Sequence, residues 1–546
     1  MNTIRTEDTV PPRKRAAGQA ELFGVSSTKQ IQDILWKAAD KLRGSMDAAQ
    51  YKEFVLGLVF LKYVSDAFAE RRDQIADSLS DIPENRRAEF LDERDEYTSA
   101  NVFWVPEYAR WDYLKDNAPS GVGKLLDDAM DAIMRENPAL TGVLPKIFNR
   151  DNVDQKRLKE LVDLISDARF TGHGDRPAQD VLGETYEYFL EKFARAEGKR
   201  AGEFYTPSSV VRILVEVLEP YSGRVYDPCC GSGGMFVQSQ KFIEARAGRE
   251  HTHDIAVYGQ EQNERTWRLA KMNLAIHHMD PVGIADRWAD TFSDDKHPDM
   301  RADFIMANPP FNMSDWARRE SDPRWRYGVP PQSNANYAWL QHIVSKLGDR
   351  GSAGIVLSNG SMAAKTSGEG EIRRSMIEAD LVACMVALPP NLFRTTAIPA
   401  CLWFLTKDKS PQGAKAMADR RGEILFINAQ DLGRMVDRTE RILTDEDVQR
   451  IADTFHSWRG MKSAKEKGIS YQDEAGFSYS ATVEEVASRE YILTPGRYVG
   501  TAGTEDDPDA EPIAARVERL TKELYTCYED SDRLSQVVRE ALRSLS

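Results

Sequence analysis

Apolar residues recur at helical spacing through the first third of the chain. Leu35, Ala39 and Leu42 share one face, and Phe54, Leu58, Leu61, Val64 and Phe68 continue at steps of three and four. Similar patterns run through 124–134, 155–166 and 180–193, and core packing is the simplest account of them. From about 200 to 428 the pattern changes to short apolar strands at 224–226, 255–258, 303–307, 354–357, 381–388, 401–405 and 424–427. Helices fall between the early strands, at 266–277 and 335–347. Such alternation predicts an α/β fold with a largely parallel sheet covered by helices, whose ligands bind beyond the carboxyl ends of the strands. After Gly460 the chain reads as looser and polar, with a turn-rich piece at 493–500 and an acidic linker at 505–511. A helix is then expected from Ile513 to the end. Ile513, Val517, Leu520, Leu524 and Cys527 step by four and three, and Leu534, Val538, Ala541 and Leu545 keep the register after Ser531. That is the narrow seam of a coiled coil. The chain therefore divides into a disordered arm (1–27), a helical N-terminal domain (28–195), an α/β domain (196–460), an extension with an acidic linker (461–511) and a C-terminal coiled-coil-like helix (512–546).

Composition narrows the function. No apolar run is long enough for a membrane span, and the N-terminus lacks the apolar stretch of a signal peptide. Five scattered cysteines without a C-x-x-C pair predict no metal site and fit a reducing cytoplasm. The formal net charge of −15 argues against a chain that coats DNA unaided, because duplex binding is largely phosphate neutralisation by Lys and Arg. Either DNA is not the substrate, or a partner supplies much of the grip.

The first strand runs into VYDPCCGSGGMF (225–236), so Asp227 closes it and Gly231, Gly233 and Gly234 open the next helix. Glycines here let a ligand lie against the backbone. Neither the phosphate loop G-x-x-x-x-G-K-[ST] nor G-x-G-x-x-G is present in this loop, which weakens nucleotide readings. Glu261 ends the second strand, where a carboxylate can accept hydrogen bonds from ribose hydroxyls. A third strand-end acid, Asp290, could bind an adenine amino group.

The most distinctive stretch is DFIMANPPF (303–311), a strand running straight into Asn308, Pro309, Pro310 and Phe311. A plain strand-ending turn leaves two prolines and an aromatic unexplained. The exocyclic amine of adenine explains them. Its lone pair is delocalised into the ring, so two acceptors aimed at its N–H bonds would favour a pyramidal, nucleophilic nitrogen. The Asn308 side-chain oxygen and the Pro309 carbonyl are the candidates, stiffened by consecutive prolines. Phe311 offers a face on which an extruded base can stack.

These motifs resemble those of amino-methyltransferases. GEFYTPSSVV (202–211), before the glycine loop, is similar to their most N-terminal cofactor motif, and this order is the gamma arrangement of adenine-N6 DNA methyltransferases. LWKAADKLRGSMDAAQYKEFVLGLVFLKYVSD (35–66) resembles the helical N-terminal domain of type I restriction-modification modification subunits. DPCCGSGGMF, ANPPFN, NYAWLQHI and LTPGRYVG are also similar to that family. The resemblance spans from about Leu35 to the C-terminus. It implies a Rossmann-like methyltransferase sheet and S-adenosylmethionine as cofactor. Glu203, Phe204, Tyr205, Thr206, Pro207 and Ser208 would then lie around the methionine end, with Ser232, Gly233, Gly234 and Glu261 also in contact. It implies DNA as substrate and a specificity subunit as partner, two modification subunits to one, and leaves room for a restriction subunit with a helicase motor. That partner would relieve the charge tension.

The loop WARRESDPRWRY (316–327) has two readings. Arg324 and Arg326 could rest on DNA phosphates, or the loop is an exposed charged segment. The rival functions are a protein-glutamine or ribosomal-RNA amine methyltransferase, and a catalytically silent DNA-complex scaffold.

Overall fold

The computed structural model describes Trp36, residues 48–80, 83, 87, 90–118, 121–151, 153–166, 178–197, 206–393, 399–411 and 417–501, and helical positions between 518 and 534. Leu35, Ala39, Leu42, Glu203, Phe204, Tyr205, Ile513, Val517, Cys527, Val538, Ala541 and Leu545 lie outside the described residues.

The N-terminal region is helical, as its periodicity predicts. Helix α1 (Ala48–Ser78) carries Phe54, Leu58, Leu61, Val64 and Phe68, all buried. Each such side chain removed from water contributes roughly 2 kcal/mol. However, α1 is no one-sided helix, since every residue from 53 to 65 is buried. The polar ones among them have partners: Glu53 faces Arg268 at 3.1 Å, Lys62 pairs with Asp66, and the Ser65 hydroxyl accepts from the Trp111 backbone N–H at 2.7 Å. Helices α2 (Val122–Glu136) and α3 (Gln155–Ser166) complete this unit, and α4 (Ala178–Glu197) packs on α1.

The rest of the chain alternates strands and helices. The order is α5 (Ser208–Leu218), β1 (Gly223–Asp227), α6 (Gly234–Ala247), β2 (Ile255–Gly259), α7 (Glu264–Ile276), β3 (Ala302–Ala307), α8 (Asn336–Lys346), β4 (Leu347–Ser358), α9 (Glu369–Glu378), β5 (Val382–Ala387), β6 (Ala400–Thr406), β7 (Glu423–Asn428), α10 (Asp445–Arg459) and β8 (Ser478–Thr482). The sheet order is β8-β7-β5-β6-β4-β3-β1-β2, and only β6 and β8 run against the others. Side chains alternate between the two faces. Val225 and Met306 join the apolar layer under α5, α6, α7 and α10, which is continuous with the N-terminal helices, whereas Tyr226 and Ile305 join the layer under α8 and α9.

Three differences from the sequence pattern have local causes. Helix α7 starts at Glu264, earlier than its apolar stripe, because the Asn263 side chain accepts from the N–H groups of Arg265 and Thr266. Helix α10 begins at a capping box in which Thr444 and Asp447 bond each other's backbone N–H. The stretch after Gly460 is not loose throughout: Ser478–Thr482 pairs residue by residue with β7 as the edge strand. Its polar composition suits a strand with one partner and one open side.

Candidate active site

The carboxyl ends of β1 and β3 meet at one cleft. Its walls include Thr206, Ser208, Asp227, Gly231, Ser232 and Asn308, from three separated sequence motifs. Strand pairing explains the meeting, since β1 lies directly between β2 and β3 and its ladder matches Tyr226 with Ile305.

The loop after β1 is held by its own carboxylates. Asp227 is buried, and its Oδ1 accepts from the Cys229 N–H at 2.9 Å. Burial, with nearby Glu261 adding to it, pushes Asp227 up to about 7. Burial and the same two acids push the Cys229 and Cys230 thiols well up, so neither is a ready thiolate. Gly231 and Gly233 have φ of +54° and +79°, and a Cβ on Gly231 would point into open space. Both are left-handed positions where side chains are disfavoured.

Glu261 stands two residues beyond β2. Its Oε2 accepts from the Gly231 N–H at 3.1 Å and its Oε1 from the Asn263 N–H at 2.8 Å. The loop and the start of α7 are thus tied through one side chain. Asp290 turns inward on its own segment, its Oδ1 accepting from the N–H groups of Phe292 and Ser293 at 3.1 and 2.8 Å. The Thr291 hydroxyl ties that segment to the Pro228 carbonyl at 2.6 Å. Glu261 and Asp290 stand beside the cleft and are not among its lining residues.

The Asn308–Phe311 turn follows β3 without a gap. The Asn308 Nδ2 donates to the Thr206 hydroxyl at 2.8 Å, and its Oδ1 is buried with no hydrogen-bond partner. Pro309 is buried and Pro310 half-buried. The Phe311 ring meets Phe393 edge to face at 5.8 Å. Pro207 precedes α5 and Ser208 is its first residue. Beyond the turn, Asn312 has φ +53°, and its side-chain oxygen accepts from Asn336 at 2.9 Å and Ser358 at 3.0 Å. Sequence reasoning missed this knot; Asn312 at the end of ANPPFN and Asn336 at the head of NYAWLQHI were its traces. It also missed Glu187, Leu190 and Asn273 as cleft residues.

The loop at 316–327 turns Arg324 inward. It pairs with Asp322 at 2.6 Å, donates to the carbonyls of Thr291 and Phe292 at 2.9 Å, and lies over the Phe292 and Trp325 rings. With Trp316 and Trp339 these rings form an apolar cluster, so the loop is packed rather than merely exposed. Arg326 is exposed.

The N-6 DNA methylase family model matches residues 177–507, and the model of the HsdM N-terminal domain matches 31–166. A HindI type I restriction enzyme methylase subunit from Haemophilus influenzae is 45% identical over 81% of this chain and 99% of its own length. The chain belongs to the methylase subunits of type I restriction enzymes. As an adenine-N6 DNA methyltransferase it answers the expectation drawn from Asn308–Phe311, and the glutamine and ribosomal-RNA readings fall away. The MjaIX type I methylase subunit of Methanocaldococcus jannaschii is 38% identical over 95% of this chain and 92% of its own. A type I methyltransferase subunit from Streptococcus thermophilus shares the fold, with a TM-score of 0.72 at 23% identity, over 87% of this chain and all of that one. Among the described residues no helix of this type I methylase subunit is long and apolar enough to cross a membrane.

Proposed function

We propose that this chain binds S-adenosylmethionine in the cleft between the 228–234 loop and Thr206, and methylates N6 of an adenine extruded from DNA. The observation that carries this reading is Asn308. Its amide nitrogen is engaged by Thr206, which leaves a buried oxygen without a donor at the end of β3. A buried acceptor of this kind costs about 1–3 kcal/mol unless something donates to it, and the adenine amine is such a donor.

The residues fit the cofactor. Gly231 and Gly234 leave open space where a Cβ would stand, so a ligand can lie on the loop. Glu261 is proposed to take the ribose hydroxyls, Asp290 the adenine amino group, and Ser232, Gly233 and the 203–208 motif the methionine end. When bound, S-adenosylmethionine supplies an electrophilic methyl group. Asn308 and the Pro309 carbonyl hold the amine N–H bonds and expose its lone pair, while Phe311 stacks on the base. Positioning supplies most of the rate, and no strong general base is needed.

The N-terminal helices (28–195), the methyltransferase domain (196–460, extended by β8) and the C-terminal helix (512–546) then act within a cytoplasmic complex. Two such subunits join one specificity subunit, which selects the site, and a restriction subunit can be added. Host DNA methylated in this way is protected from restriction. Mapping of N6-methyladenine in cells with and without this gene tests the reading: site-specific marks vanish on deletion if it holds, and persist if it fails.

A further inference from the structure

We propose that helix α4 forms a wall of the cofactor cleft, where Glu187, together with Asn273 of α7, receives the α-ammonium of the cofactor's amino-acid end. The proposal rests on the S-adenosylmethionine reading and adds to it two residues and the ligand group they recognise.

Helix α4 lies unusually close to α7. A Cβ on Gly183 would stand 2.6 Å from the His277 ring, so only glycine permits this approach. One turn later, Glu187 reaches a small ionic network. Its Oε1 accepts from Lys241 at 2.6 Å and lies 3.1 Å from His277 Nε2, and its Oε2 accepts from Lys241 at 2.9 Å. Burial pushes this carboxyl up, but His277 and Lys241 outweigh it and hold Glu187 below the usual carboxylate range. An ionised carboxylate offers about four acceptor positions, and these groups face three of them. Glu187 and Leu190 nevertheless line the same cleft as Asp227 and Asn308.

Asn273 provides the independent observation. It is 1% exposed, it lines the cleft, and its Nδ2 donates to the Ser232 carbonyl of the cofactor loop at 2.9 Å. Its Oδ1 is then buried without a hydrogen-bond partner. Such an acceptor is expensive to leave unmet. The cleft thus presents Glu187, the Asn273 oxygen and Asp227, and among the described residues that line it there is no lysine or arginine. Lys241 and His277 take part of the Glu187 charge, but with no lysine or arginine in the lining itself these acceptors favour a positively charged N–H donor over a carboxylate. The primary ammonium of the amino-acid end has that charge and three donors.

The test compares two ligands in the full chain by calorimetry. S-adenosylhomocysteine carries the amino-acid end, and 5′-methylthioadenosine is the same nucleoside thioether without it. Wild type should bind the first more tightly. Glu187→Gln should weaken the first by about tenfold or more and leave the second within about twofold. Should Glu187→Gln fail to fold, Glu187→Asp gives the same ratio test. Equal loss for both ligands, or no loss for either, would overturn the proposal and leave Glu187 as a structural anchor for Lys241 and His277. Equal wild-type affinity for the two ligands would also overturn it, while leaving the cofactor reading intact. Binding of neither ligand by wild type would sink the cofactor reading itself.

Discussion

The Asn308 side chain donates a 2.8 Å hydrogen bond to the hydroxyl of Thr206, a residue 102 positions earlier in the chain. This bond joins the catalytic turn to the segment that leads into α5. It sets which end of the amide is engaged and which is left without a partner. The motif before the glycine loop and the motif after β3 are therefore one piece of machinery, although the chain builds β1, β2 and β3 between them.

Asn308→Ala should strongly slow methyl transfer while cofactor affinity stays nearly intact. Loss of one orienting acceptor should cost on the order of 3 kcal/mol of transition-state stabilisation, about a hundredfold in rate. Tritiated methyl incorporation into DNA, alongside calorimetric binding, measures both. Full turnover by the variant would remove Asn308 from its role.

Glu261→Ala should weaken cofactor binding by about ten- to hundredfold, the effect of losing a hydrogen bond to a charged acceptor. The same carboxylate holds the Gly231 N–H, so the loop should also lose order. Titration of S-adenosylhomocysteine is the measurement, and an unchanged dissociation constant would assign the ribose to another residue.

Asp227 makes stability depend on pH. The folded chain keeps its proton to about pH 7, whereas an unfolded aspartate ionises near 4. The folded state therefore holds the extra proton between these values. The contribution is full below about pH 4 and is lost as pH rises through 7, at most about 1.4 kcal/mol per pH unit. Melting of the ligand-free chain from pH 5 to 8 should fall more steeply for wild type than for Asp227→Asn. Parallel curves would contradict the buried, protonated carboxyl.

Deletion of residues 513–546 should leave cofactor binding and monomer melting nearly unchanged, yet abolish co-purification with the specificity subunit. Leu520, Leu524, Tyr525, Tyr528 and Leu534 are 48–66% exposed, and a row of this size calls for a cover. Assembly of a complete, active complex by the truncated chain would show that docking lies elsewhere.

The isolated chain should bind DNA weakly and without sequence preference. Its charge of −15 opposes phosphate contact, and Arg324 is committed internally. Tight, site-selective gel shifts by this chain alone would be incompatible with a partner-dependent grip.

Much of this was legible in sequence because local rules governed it. The strand ending at Asp227, the one ending before Asn308 and the glycine loop all follow from apolar runs and turn chemistry. Helix α1 shows the limit. Its stripe was visible, but the burial of Glu53 is explained only by Arg265 and Arg268, far along the chain. Ser478–Thr482 was missed because a polar strand acquires its identity from its neighbour β7. Glu187 and Asn273 carry no motif of their own; they become part of the cleft only through the packing of α4 on α7. The place of Arg324 stayed open in the sequence because its carbonyl partners, Thr291 and Phe292, come from a segment more than thirty residues earlier.

Helix α7 touches three things along its length. Arg268 grips Glu53 of the N-terminal helix, Asn273 grips the Ser232 carbonyl of the glycine loop, and His277 stands against Glu187 of α4. A helix in a close-packed interior is a stiff strut, and such interiors transmit strain rather than absorb it. The N-terminal helices and the cleft are therefore bolted to the same beam. A displacement of the outer unit would reach the wall of the cleft through α7 itself, with no separate element in between.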